Sequence, residues 1–155
     1  MVESCSFKAL VVGSIPTGRI MAYTAELKVS LRAIEKGMIV SKPILDGTRY
    51  DLILDDNGKL SRVQVKQSNR EVRPGVFIVS LRSGVIPYGT RKGEAKSRCY
   101  MSDEIDAIVV YLPKIDKYYW ISPELFHGRV CISIRMQPTK NNQAYGIVMG
   151  TDVEW

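Results

Sequence analysis

Several common kinds of site are excluded by what this chain has little of. It contains one histidine, His127, so a centre needing two or three imidazoles cannot be built. Lying just before Gly128, that histidine reads as a loop or helix-end residue. The three cysteines, Cys5, Cys99 and Cys131, are odd in number, far apart and never spaced C-x-x-C. Neither a disulfide framework nor a zinc ribbon follows, and they read as reduced thiols in packing or surface roles. No apolar run approaches the ~18 residues needed to cross a bilayer. Glu3 sits where a secretory leader carries positive charge, and the apolar piece Ala9-Leu10-Val11-Val12 is short, so the chain is expected to stay in the cytosol. No phosphate-binding Gly-rich loop or dinucleotide fingerprint is present. Aromatic residues make up only 8% of the chain and do not cluster as a base-stacking platform in its basic part, which argues against RNA as the partner.

The composition is that of an ordinary globular protein, 45% hydrophobic and 25% charged over 155 residues, and predicts one domain. The net charge of +6 is unevenly placed. Residues 1–61 carry a net +1, residues 62–98 a net +7 and residues 99–155 a net −2. The middle segment holds Arg62, Lys66, Arg70, Arg73, Arg82, Arg91, Lys92, Lys96 and Arg98. Localised positive charge suits a polyphosphate partner, because neutralised phosphates release condensed counterions. A basic face that simply meets solvent would have the same composition.

Residues 1–20, with Gly13, Pro16 and Gly18, show no sustained periodicity and read as an extension ahead of a domain over 21–155. From Ala22 to Lys36 the period becomes helical. Tyr23, Leu27, Leu31 and Ile34 form an apolar stripe that is expected to face the core, and Gly37 supplies the stop. Glu26 lies at the border of that stripe among Ala22, Ser30 and Ala33, either partly buried by accident or directed at something.

Met38 to Val40 reads as a short strand, followed by a turn through Asp46-Gly47 and a strand from Arg49 to Asp55. Asn57-Gly58 is a strong type I′ hairpin signal, with Lys59 to Ser68 as the returning strand. With those two residues as the loop, paired positions sum to 115. Asp51 then stands opposite Gln64 and Arg49 opposite Lys66, while Tyr50, Leu52, Leu54, Val63 and Val65 share the other face. Val76 to Arg82 reads as a third strand of the same sheet, residues 83–103 as a long polar connection, and Asp106–Leu112 and Lys117–Ile121 as further strands. Ser122-Pro123-Glu124 begins a short helix, and Val130–Met136 is expected to be the last strand.

The hairpin would thus gather an acid, an amide and an amine on one face. A carboxylate and an amide oxygen can hold a hard divalent cation, and an ammonium two residues on can orient a nucleophilic water or neutralise developing charge. A surface hairpin whose polar face meets water would show the same spacing.

The run Arg49-Tyr50-Asp51, twelve intervening residues, then Gln64-Val65-Lys66 resembles the PD-(D/E)XK nuclease signature, and a helix bearing a glutamate precedes it. Gly37 through Ser68, Asp103-Glu104-Ile105-Asp106, Tyr118 through Pro123 and Pro138 through Gln143 look like the branch containing the cyanobacterial tRNA-intron homing endonuclease. The resemblance runs from about Ala22 to residues 136–143. It implies an α/β, restriction-endonuclease-like core, a central mixed β-sheet flanked by helices. It further implies Asp51 as central metal ligand, Lys66 as catalytic lysine, Glu26 as the helix glutamate, and Val65 lending its carbonyl. Gln64, as a catalytic-site ligand, stands where the family usually has an acid, and Tyr50 where its name has proline.

The implied activity is Mg²⁺-dependent cleavage of double-stranded DNA, leaving 5′-phosphate and 3′-hydroxyl ends, by an intron-encoded homing enzyme. A restriction or Holliday-junction nuclease would share the core, and a DNA-binding module with a decayed site is the non-catalytic alternative. Arg62, Arg70, Arg73, Arg82, Arg91, Lys92, Lys96 and Arg98 are the candidate DNA contacts. One such site cuts one strand, so a homo-oligomer is expected, a dimer or by resemblance a tetramer. Ala144 through Met149 is either its contact or an inner strand.

Overall fold

The structure, a computed structural model, describes residues 17–45, 47–85, 96–139 and 147–155. Residues 1–16, Asp46, 86–95 and 140–146 lie outside this set, and with them Arg91, Lys92 and the first half of the Ala144–Met149 stretch.

Helix α1 spans Thr17–Glu35, starting inside the stretch read as an extension. It ends as Gly37 predicts: at φ +81° that residue donates its N–H to the Ile34 carbonyl, and Met38 donates to Ala33. These two bonds form a Schellman motif, which only a residue at ease in the left-handed region closes cheaply.

Five strands form the main sheet in the order β1 (Ile39–Ser41), β2 (Leu52–Asp56), β3 (Lys59–Gln67), β8 (Ala107–Leu112), β9 (Lys117–Ile121). The β3–β8 pair is parallel and the others antiparallel, so the sheet is mixed. The β2–β3 register runs from Leu52 opposite Val63 to Asp56 opposite Lys59, as the hairpin signal requires. Asn57 and Gly58 turn the chain at φ 52° and 90°.

Three expectations are corrected. Val76–Ser80 (β5) does not join the main sheet. It pairs with β4 (Glu71–Arg73) and β10 (Cys131–Arg135) in a second sheet, because β2 and β8 already hold both edges of β3. Residues 83–103 are not all connection: β6 (Arg82–Val85) and β7 (Lys96–Cys99) form a two-stranded ribbon. Nor is β10 the last strand, since β11 (Val148–Met149) pairs parallel to it and a short α3 (Gly150–Val153) follows. The described end of the Ala144–Met149 stretch is therefore strand. Ser122-Pro123 does start a helix, α2 (Pro123–Phe126), with His127 as its C-cap.

A further correction concerns α1. The apolar stripe faces outward, with Tyr23 50%, Leu27 67%, Leu31 56% and Ile34 58% exposed, while Ala25, Val29 and Ala33 are buried on the main sheet. They pack with Leu52, Leu54, Val63, Val65, Ala107 and Val109. Small side chains win this face because close approach to a sheet surface already bristling with valines leaves no volume for leucine. Sheet residues of the opposite pleat, Ile108, Val110, Leu112, Tyr119 and Ile121, meet Phe77, Val79, Tyr100, Phe126 and Ile134 in a second core. Tyr50 packs there too, so it is not on the Leu52 face. The main sheet is thus covered by α1 on one side and by the second sheet with α2 on the other.

Candidate active site

Asp51 is the last residue before β2, and its amide donates to the Val63 carbonyl at 2.9 Å. Its Oδ2 accepts from the Val65 N–H at 2.9 Å and from Gln64 Nε2. The same Gln64 nitrogen reaches the Val65 carbonyl at 3.1 Å. Gln64 is only 8% exposed, since the second layer covers its side of the sheet. A polar cluster this deep persists because its members satisfy one another.

Burial is the main reason the Asp51 carboxyl is pushed up to about 6. The Val65 N–H opposes that rise, the nearby Glu26 adds to it, and Lys66 and Lys42 oppose it. Lys66 moves the other way: burial lowers its ammonium below the ordinary lysine value, with Asp51 resisting and Arg49 assisting. Its Nζ donates to the Arg82 carbonyl at 3.1 Å and lies 5.1 Å from the Tyr100 ring centre. Glu26 is brought in by α1, and its carboxylate is held by Lys42 Nζ at 2.7 Å. Two clefts, of about 390 and 420 Å³, adjoin where Glu26 and Asp51 line both. Gln64, Val65 and Lys66 line the larger one.

The structure therefore gathers Glu26, Asp51, Gln64, Val65 and Lys66. The basic candidates are dispersed. Arg62 is occupied by Asp106, its Nε at 3.1 Å and Nη2 at 3.0 Å, and by the Asp103 carbonyl at 3.0 Å. Arg70 and Arg73 are exposed beside β4, and Arg82 is exposed on the ribbon. Lys96 lies on β7, and Arg98, also exposed, pairs with Glu104. Arg91 and Lys92 fall outside the described residues.

Sequence reasoning assigned no role to Lys42, Arg49, Tyr100 or Glu104. Each acts through a partner distant in sequence; for Arg49 and Glu104 the separation is 55 residues, and no local spacing signals it.

Among the described residues no three His, Cys, Asp or Glu side chains gather as a metal site. The donors present are nonetheless all hard oxygens: Asp51, Glu26, the Val65 carbonyl and the Gln64 amide. Rotation about the terminal Gln64 torsion exchanges its N and O, so the side chain that now donates to Asp51 and Val65 can turn its oxygen to a cation they share. That set fits Mg²⁺.

A family model for PD-(D/E)XK endonucleases matches residues 19–152. Among solved structures, the bacterial homing endonuclease I-Ssp6803I has the same fold, with a TM-score of 0.70 at 22% identity over 89% of this chain and 88% of that one. No curated protein matches.

Proposed function

This chain belongs to the PD-(D/E)XK endonuclease family, and from that premise we propose that it cleaves double-stranded DNA with Mg²⁺, as a homing endonuclease of the intron-encoded kind. The observation carrying this reading is the meeting of Asp51, Gln64, the Val65 carbonyl and Lys66 at one end of the hairpin, with Glu26 lining the same cleft. The likeness to a bacterial homing endonuclease over nearly the whole of both chains supports the homing assignment.

Asp51, Glu26, Gln64 and Val65 would hold the ion. When bound, it supplies Lewis acidity toward a phosphoryl oxygen and a more acidic water. The Val65 N–H pins Asp51 Oδ2, leaving Oδ1 to act outward into the cleft. Lys66 spends one N–H on the Arg82 carbonyl, so two remain for the attacking water and the phosphate oxygens. Burial lowers its ammonium and the nearby Asp51 opposes that effect; an ammonium at this place is suited to neutralise charge growing on phosphorus oxygens.

The test is incubation of plasmid and of host-locus duplex with Mg²⁺ or with chelator, followed by end analysis. Cleavage only with metal, leaving 5′-phosphate and 3′-hydroxyl ends, is expected. Binding without cleavage at any Mg²⁺ concentration would replace this reading by a DNA-binding module. The one observation favouring that second reading is the Gln64 amide nitrogen turned onto Asp51.

The enzyme acts as a homo-oligomer built on α1. Ile20, Tyr23, Leu27, Leu31 and Ile34 are all at least 49% exposed, and no described residue covers them. Their spacings, 3, 4, 4 and 3, read the same in both directions about Leu27, so an antiparallel second copy presents its rows at matching heights. Light scattering should report a dimer or tetramer, and Leu27→Lys with Leu31→Lys a folded monomer. A parent protein that stays monomeric with and without DNA would refute it.

A further inference from the structure

Behind the proposed catalytic lysine lies an ion-pair network that the reaction described above does not use. Arg49, two residues before Asp51, points away from the cleft. Its Nη2 donates to Glu104 at 2.8 Å and to the Cys99 carbonyl at 2.7 Å, its Nε reaches Glu104 at 3.2 Å, and its Nη1 bonds the Ser83 hydroxyl. One guanidinium thus ties the entry to β2 to both strands of the β6–β7 ribbon. The Arg49 and Glu104 side chains are only 18% and 16% exposed. Glu104 is tied further by the Met101 N–H at 3.2 Å and by Arg98.

Tyr100 is the meeting point. Its ring is 1% exposed and has two cations over it, the Arg49 guanidinium carbon at 4.3 Å and Lys66 Nζ at 5.1 Å from the centre. Two positive groups sharing one ring in a dry setting repel each other. Glu104 offsets the first of them, which leaves the Lys66 charge to the ring face and to Asp51.

We propose that Arg49, Glu104 and Tyr100 are positioning residues: the Arg49–Glu104 pair fixes the ribbon and the Tyr100 ring against the hairpin, and the ring holds the Lys66 ammonium in the cleft it shares with Asp51. The role assigned to Lys66 rests on the nuclease reading. The placement of its ammonium does not, and it is measured separately.

Two readouts are taken on Tyr100→Phe, Tyr100→Leu, Glu104→Gln and Glu104→Ala. The first is the Lys66 ε-CH₂ resonance in ¹³C-lysine-labelled protein, assigned with Lys66→Arg, where an overlying ring gives an upfield shift. The second is single-turnover cleavage at saturating enzyme, alongside duplex affinity in chelator. Tyr100→Phe keeps the ring and gives up only the hydroxyl's hydrogen bond with Ser83, so it should keep the upfield shift and stay within a few-fold of the parental rate. Tyr100→Leu should lose the upfield shift and slow cleavage ~10–100-fold, the scale of a misplaced catalytic group, with affinity unchanged. Glu104→Ala should move the Lys66 resonance and slow cleavage similarly, and Glu104→Gln, which still accepts from Arg49, should recover much of both. Thermal melts identify any variant that fails to fold, and the exposed edge of Glu104 makes its pair the safer one. Parental Lys66 resonance and rate in both Tyr100→Leu and Glu104→Ala would overturn the proposal. If the parent shows the shifted resonance but never cuts, the nuclease reading is lost, and the resonances of the variants alone decide whether the ring positions the lysine.

Discussion

Replacing Asp51 by asparagine should stabilise the metal-free protein at neutral pH while it removes cleavage. Burial pushes the Asp51 carboxyl from an ordinary 3.8 up to about 6. The native state therefore binds this proton more tightly than the unfolded chain, and the contribution to stability is fully present below 3.8 and falls as pH rises to about 6. That gap corresponds to about 3 kcal/mol. Asparagine stays neutral at every pH, and with its oxygen in the place of Oδ2 it still accepts from both the Val65 N–H and Gln64 Nε2, its amide nitrogen taking the place of Oδ1. The expected gain is therefore about 3 kcal/mol, roughly 6–12 °C in melting temperature for a chain of this size. Urea and thermal melts of both proteins in chelator at about pH 7.5 and near pH 4 measure it. The advantage should be present at the higher pH and vanish at the lower. Saturating Mg²⁺ at the higher pH should narrow it, because only the parent gains from binding the ion. A variant no more stable than the parent at the higher pH, or equally favoured at both, would show that Asp51 is not held against its own charge.

Lys66→Ala should lower single-turnover cleavage by at least ~10²-fold with duplex affinity nearly unchanged, since it removes a donor aimed at the reacting phosphate rather than one on the phosphate track. In a Mg²⁺ titration Gln64→Glu should cut at lower metal concentration than the parent, and Gln64→Ala should lose most activity with partial rescue at high metal; parental behaviour of Gln64→Ala would remove Gln64 from the ligand set. Neutralising Arg70, Arg73, Arg91 or Lys92 should each reduce the slope of log K against log[salt] by about 1. Arg62→Ala should instead leave that slope unchanged, because its charge is committed to Asp106, and a slope change there would place the DNA over β3.

The hairpin was legible because its determinants are local. Asn57-Gly58 sets the turn, a two-residue period then fixes which residues pair, and Asp51, Gln64 and Lys66 follow from counting. Gly37 marked the end of α1 for the same reason. Periodicity could not reveal what α1 packs against. It identified one face, the stripe of large apolar residues, whereas the closeness of a valine-covered sheet selected the narrow row at Ala25, Val29 and Ala33. The same limit explains β5, whose sequence reads as a strand but whose choice of sheet depends on β8 holding the second edge of β3 and on pairing with β10, both far along the chain. Charge tells least about its own use. Arg62, Arg70, Arg73, Arg82 and Arg98 belong to one basic segment of the sequence, yet Asp106 pairs with Arg62 and Glu104 with Arg98 while Arg70, Arg73 and Arg82 stay exposed. A side chain's type and period are properties of the chain alone, whereas its burial and its ionic partner arise only when distant segments are brought within a few ångströms.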